Sequence, residues 1–255
     1  MKNTIKILII SLIVAFAIQT NAYVNPVLKT IHSISKISRH PNTFSNKGIK
    51  NLSELSAKEL GVYLGGKKLS HQVLEDTFIR IAIFKKVIHR REAEGLFTRL
   101  SGIPGFATTL KKIIGNNPSG TKGHLNELQI ADNASISGFK VLGIGEKFKD
   151  PVKKALTDID IVLQKNGRTF IIEAKAYDKT NINKINYRKD LDTLVAYKKQ
   201  NKDSDIVPIF SFTKIPSSAT EFKLLKHEAK RRDVELIFGE PYEQVEKIKI
   251  LNKIL

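Results

Sequence analysis

The chain has 255 residues, 41% of them hydrophobic, which is enough for one large domain with a real core plus an extension. Its 43 Lys+Arg against 25 Asp+Glu give a formal charge of +18. That balance suits an anionic partner, nucleic acid or an acidic membrane surface, and it also follows from plain lysine enrichment of an AT-rich coding sequence. No cysteine is present, which excludes a disulfide scaffold, a thiolate zinc site and a cysteine nucleophile, so the core must hold the fold.

At the start, Lys2 and Lys6 precede an apolar run from Ile7 to Ile18, and Gln19-Thr20-Asn21-Ala22 offers small residues for cleavage. Residues 1–22 read as a signal peptide, which implies a secreted or periplasmic protein; an uncleaved anchor is the other reading. An apolar run of about 12 residues is short of the roughly 20 that span a bilayer. Removing Lys2 and Lys6 takes the charge from +18 only to +16. Residues 23–52 are polar and aperiodic and read as a linker, with loop-forming residues from His40 to Gly48.

Residues 53–115 read as a helical region. Ser53 to Leu64 predicts a short helix, with Ser53 and Ser56 as candidate N-caps. A longer helix is predicted from Ser70 to Leu96, with Leu74, Phe78, Ile81, Phe84 and Val87/Ile88 at helical spacing. Its stretch Lys85-Lys86-Val87-Ile88-His89-Arg90-Arg91 is basic, either a nucleic-acid contact or a solvated face. Breakers follow at Ser101 to Gly105 and Gly115 to Gly120, the second marking a domain boundary.

Residues 116–245 then alternate in type. A helix is predicted over Lys122–Ser135, a strand over Phe139–Ile144, and two strands between Thr157 and Lys175. A helix over Ile182–Gln200 and an apolar strand over Ile206–Phe212 follow. Ser218-Ala219-Thr220-Glu221 is a capping box opening a helix to about Arg232, and Val234–Phe238 is a last strand. Residues 246–255 read as a basic C-terminal tail. The expected class is α/β, a mixed β-sheet flanked by helices and preceded by the small helical region.

The most informative stretch is Thr157 to Lys175, where Asn166-Gly167 joins two alternating runs and predicts a type I′ hairpin. That turn makes Lys165 and Arg168 a facing pair and, counting back, sets Asp160 opposite Glu173 and Asp158 opposite Lys175. All four fall on one face, with Ile159, Ile161, Leu163, Phe170, Ile172 and Ala174 on the other. Facing residues have Cβ atoms roughly 4.5–5.5 Å apart, so two carboxylates there repel unless a cation lies between them. An ordinary solvent-facing polar face is the competing reading, but it would not set acid against acid.

Glu127 on a first helix, Asp160 on the second strand and Glu173-Ala174-Lys175 on the third, in the order α-β-β-β-α-β, resemble the PD-(D/E)XK nuclease superfamily. The resemblance covers about Thr121 to Phe238. Ile159 precedes the Asp where proline is common, and Thr193 stands four residues before Tyr197, so the Gln-x-x-x-Tyr of the exonuclease branch is lacking. Gly123 to Leu128, Asp158-Ile159-Asp160 and the basic tail are also similar to nuclease toxin domains of contact-dependent growth inhibition systems, some acting on tRNA and others on DNA.

The resemblance implies a restriction-endonuclease-like core and a metal-dependent endonuclease acting on RNA or DNA, exported as a toxin or effector, with a cognate immunity protein as a possible partner. Mg²⁺ or Mn²⁺ would be held by Asp160 and Glu173, with the Ala174 carbonyl and Glu127 completing the site. Lys175 would orient the attacking water, and Asp158 would hold Lys175 or serve a second ion. Lys122, Lys179, Lys184 and Arg188 are candidate phosphate contacts, and Tyr177 and Tyr187 candidate stacking residues. His124 is a candidate substrate contact. The alternative function is a non-catalytic basic module on the same fold, binding nucleic acid or an anionic surface.

Overall fold

A computed structural model describes residues 44–254, apart from 116, 151–154, 178–181 and 203. The expectations for residues 1–22, for most of the 23–52 segment and for Lys179 lie outside the described residues. Helices α1 (Asn46–Ser53), α2 (Ala57–Gly65), α3 (His71–Phe84), α4 (Arg90–Leu100) and α5 (Phe106–Gly115) come first. Then follow α6 (Pro118–Ile136), β1 (Lys140–Lys149), β2 (Leu156–Lys165) and β3 (Arg168–Lys175). The chain continues through α7 (Lys184–Gln200), β4 (Ile206–Phe212), α8 (Ala219–Lys230), β5 (Glu235–Phe238) and α9 (Pro241–Ile254). The class is α/β, built on a mixed sheet in the order β1-β2-β3-β4-β5. No helix among the described residues is long and apolar enough to cross a membrane.

Several helical boundaries depart from expectation. Residues 46–52 are helix and not linker, because Ser45 accepts the Gly48 amide and Ile49 and Leu52 are buried. Ser56 caps α2 in a reciprocal capping box with Glu59, whereas Ser53 ends α1. The single long helix expected from Ser70 is two helices. α3 ends in a Schellman-type turn, with Val87 N–H donating to the Ala82 carbonyl at 2.9 Å and Lys86 to Ile83 at 3.0 Å. Lys86 occupies the left-handed region there (φ 57), where glycine is usual and a larger residue costs roughly 1 kcal/mol.

The first five helices are not a separate domain: Phe44–Leu255 is one compact unit, with α4 and α5 packed on α6 and α5 reaching β1. Residues 246–254, expected as a basic tail, extend α9, with Ile248 buried. One link between helices and sheet is unusually tight. The Ile144 amide on β1 donates to the Pro104 carbonyl at 2.9 Å, and Gly105 (φ +86) comes so close that an ideal Cβ would lie 1.6 Å from the Ile144 carbonyl oxygen.

In the sheet, β1-β2 and β2-β3 are antiparallel, and β3-β4 and β4-β5 are parallel. Asn166 (φ 54) and Gly167 (φ 82) both take positive φ, as the hairpin requires, and Lys165 faces Arg168. β4 is buried along its whole length, as its apolar run predicts. Phe210, Phe212, Ile171 and Val162 pack with Tyr187, Leu191 and Leu194 of α7 and Leu225 of α8. Ile159 joins this cluster, although strict alternation would place it with Ile161. Across from Asp160 on β1 stands Gly145 with φ 63.

Candidate active site

β2 and β3 stay paired from Lys165–Arg168 to Ile161–Ile172 and then part, while β3 follows β4 as far as Lys175–Phe212. The Ala174 amide in the opening donates to Asp160 Oδ2 at 2.8 Å. A side-chain carboxylate thus replaces a ladder bond and is fixed between the strands. The cleft that opens there holds about 500 Å³. α6 lines it with Gly120, Gly123, His124 and Glu127, whose i, i+3, i+4, i+7 spacing is one helical face. α7 adds Asp190 and α5 adds Lys112.

Glu173 is only 7% exposed, and its carboxylate pairs with the Lys175 ammonium, which also lies 3.2 Å from Asp190 Oδ2. Burial raises Asp160 well above the usual carboxylate range, and the charges of Glu173 and Glu127 push the same way. Burial likewise pushes Glu173 up to about 7, against the pull of Lys175. Burial alone would lower Lys175, but Glu173, Asp160 and Asp190 outweigh it and hold the ammonium above its ordinary value. Glu127 is buried, with Oε1 2.8 Å from His124 Nδ1.

A pH dependence follows for the metal-free chain. Glu173 binds its proton more tightly folded than unfolded, so its ionisation opposes folding. That penalty is absent below the ordinary value of 4.5 and complete above about 7. Stability should therefore fall as pH rises through this window, and Glu173→Gln should flatten the fall. Urea midpoints in chelator between pH 5 and 8 would show it; parallel profiles for the two proteins would rule Glu173 out as the group responsible.

Glu127, Asp158, Asp160, Glu173, Ala174, Lys175 and Tyr177 all line the cleft. Asp158 does not hold Lys175; it is partly exposed and lies 3.9 Å from Lys112, while Asp190 takes the expected role. Tyr177 stacks on Phe212, with centroids 5.7 Å apart, so one ring face already packs on the core. Tyr187 is buried and donates its hydroxyl to the Leu225 carbonyl, which removes it as a stacking residue. Arg188 turns away to Glu228 at 2.9 Å, and Lys122 and Lys184 stand outside the lining. Asp190 and Lys112 are charged cleft residues that the site assignment from sequence missed, and His124, a candidate substrate contact, lines the cleft beside Glu127. The signal for Asp190 was a carboxylate beside the buried stripe of Tyr187, Leu191 and Leu194 on α7.

Five carboxylates (Glu127, Asp158, Asp160, Glu173, Asp190) face two lysines in this cleft, a formal excess of three negative charges on a chain of charge +18. Among the described residues no three His, Asp or Glu side chains already converge as a ligand set. The donors are hard oxygens, and they fit an ion that needs only one or two carboxylates and keeps several waters, as Mg²⁺ does. Asp160 and Glu173 could hold such an ion, with Glu127 alongside. No protein-family model matches the chain, and no curated protein matches it.

Proposed function

We propose that the chain is a metal-dependent endonuclease of the PD-(D/E)XK type, hydrolysing phosphodiester bonds in RNA, such as tRNA, or in DNA. The observation that carries this reading is the Asp160 carboxylate lodged where β2 and β3 part, beside Glu173 and Lys175, in an acidic cleft of a basic protein. The order α6-β1-β2-β3-α7-β4 supports the restriction-endonuclease-like core that the resemblance implies. Export as a toxin or effector, and an immunity protein to match, belong to the same proposal.

A divalent cation bound here would neutralise the scissile phosphate and lower the pKa of an attacking water. Asp160, fixed by the Ala174 amide, and Glu173 supply the anionic oxygens that make room for it. Glu127 is steadied by His124 and contributes a third carboxylate. Lys175 projects its ammonium into the cleft, restrained by Glu173 and Asp190, where it can orient the water and stabilise charge on the phosphate oxygens. Lys112 and Tyr177 border the approach.

One observation favours a second reading, a non-catalytic binding module: Lys175 already has two carboxylate partners, as in a structural ion pair. A substrate panel decides between them. The purified chain is expected to cleave at least one of tRNA, single-stranded DNA and duplex DNA with Mg²⁺ or Mn²⁺, and Glu173→Ala and Lys175→Ala are each expected to stop it. No cleavage of any substrate would favour the binding module, and undiminished cleavage by both variants would refute the site.

A further inference from the structure

The turn between α3 and α4 carries a basic corner that the cleft chemistry does not use. Lys85, Lys86, His89, Arg90 and Arg91 are all exposed, and Phe84 beside them is 50% exposed. Buried Ile88 anchors the turn, so these side chains are displayed from a fixed loop. Among the described residues, acidic neutralisation of this corner is slight. Glu94 lies 3.9 Å from Arg90 with both side chains largely in solvent, and Glu92 accepts from Gln129. Lys86 keeps its place despite a left-handed backbone that glycine would adopt without strain. Strain retained at a charged, exposed residue points to a use for the charge.

The corner adjoins the cleft. Lys85 Nζ donates to the Ile114 carbonyl at 3.2 Å, two residues along α5 from cleft-lining Lys112. Thr121 Oγ1 donates to the Ile113 carbonyl at 3.1 Å and ties the same end of α5 to the first turns of α6, where Ser119 and Gly120 line the cleft. A strand leaving the cleft on this side would meet exposed cations and an exposed aromatic ring carried on one turn. Cations hold phosphates, and an exposed aromatic ring holds a base only when that base is unpaired.

We propose that Phe84, Lys86, Arg90 and Arg91 form an auxiliary site for an unpaired polynucleotide segment, which grips the substrate outside the cleft. This rests on the nucleic-acid reading of the cleft and adds a substrate class to it: single-stranded or looped chains. Phosphates lie against the three cations, and a base stacks on Phe84.

The test is fluorescence anisotropy of labelled 20-nucleotide single-stranded RNA, single-stranded DNA and duplex DNA in chelator, so that binding is read without cleavage. Phe84→Ala should weaken binding of the single strands roughly tenfold, as loss of one stacked base does, and leave the duplex nearly unchanged. Lys86→Gly with Arg90→Ala and Arg91→Ala should reduce the slope of log affinity against log salt by about 2, at about 0.7 per phosphate contact on a single strand. Lys86→Gly relieves the left-handed strain, so its melting temperature should not fall, which separates lost binding from lost folding. Wild-type affinity and salt slope in both variants would overturn the proposal, as would binding to phosphatidylserine vesicles but to no oligonucleotide. Binding through this corner by a chain that cleaves nothing with Mg²⁺ or Mn²⁺ would uphold the inference and sink the endonuclease reading. Cleavage with unchanged KM in both variants would do the reverse.

Discussion

Asp160→Asn is expected to abolish cleavage and, in the same molecule, to stabilise the metal-free fold. The amide oxygen of asparagine can still accept from the Ala174 amide, so the bond that replaces the β2–β3 ladder survives. What disappears is a negative charge that burial, Glu173 and Glu127 all oppose. Relief of that conflict should contribute about 1 kcal/mol or more, a rise of roughly 2–4 °C in melting temperature for a unit of this size. A neutral amide is a poor substitute for a carboxylate on a hard cation, and loss of charge stabilisation at the phosphate should reduce kcat by about 10³-fold or more. Mg²⁺ should raise the melting temperature of the wild-type chain more than that of the variant, since ligand binding stabilises only the state that binds. Melting in chelator and in Mg²⁺, alongside a cleavage assay, covers every part. A variant that melts lower than wild type in chelator, or that still cleaves, would show that Asp160 is not the charged centre of the site.

The second large effect is on stability alone. Gly105→Ala should lower the melting temperature by about 6 °C or more, because no alanine fits a position whose Cβ would fall 1.6 Å from the Ile144 carbonyl oxygen. The backbone must move, and the positive φ adds its own strain. Together these should cost about 3 kcal/mol or more. Gly123→Ala is the matched control: its Cβ would meet nothing within 4 Å, and it lies inside α6, so the fold should gain up to about 1 kcal/mol. A Gly105→Ala chain that melts within about 2 °C of wild type would mean that the contact with β1 is not fixed in solution.

Local chemistry made much of this fold readable. Asn166-Gly167 set the hairpin register, the apolar run Ile206–Phe212 announced a strand, and Ser56 and Ser218 marked helix starts. What escaped notice depends on partners distant in sequence. Arg188 reads as a free cation until Glu228, forty residues on, claims it. Lys175 was matched to Asp158 by continuing the hairpin ladder, but the ladder stops at Ile161–Ile172 and a carboxylate on α7 takes over. The break after α3 carried no Gly or Pro, because a lysine accepts the left-handed position. Periodicity cannot reveal a residue that tolerates strain.

The contact between Pro104 and Ile144 also has a bearing on how the molecule avoids its own kind. β1 is a terminal strand of the sheet, and the Ile144 amide that meets the Pro104 carbonyl faces away from β2. The turn between α4 and α5 therefore occupies the backbone amide and carbonyl of Ile144 at an edge that would otherwise template pairing with a second chain. Undocking of that turn would expose the strand before the rest of the core unfolds. Thermal unfolding at high protein concentration is then expected to run into aggregation, beginning at the sheet margin nearest the helices.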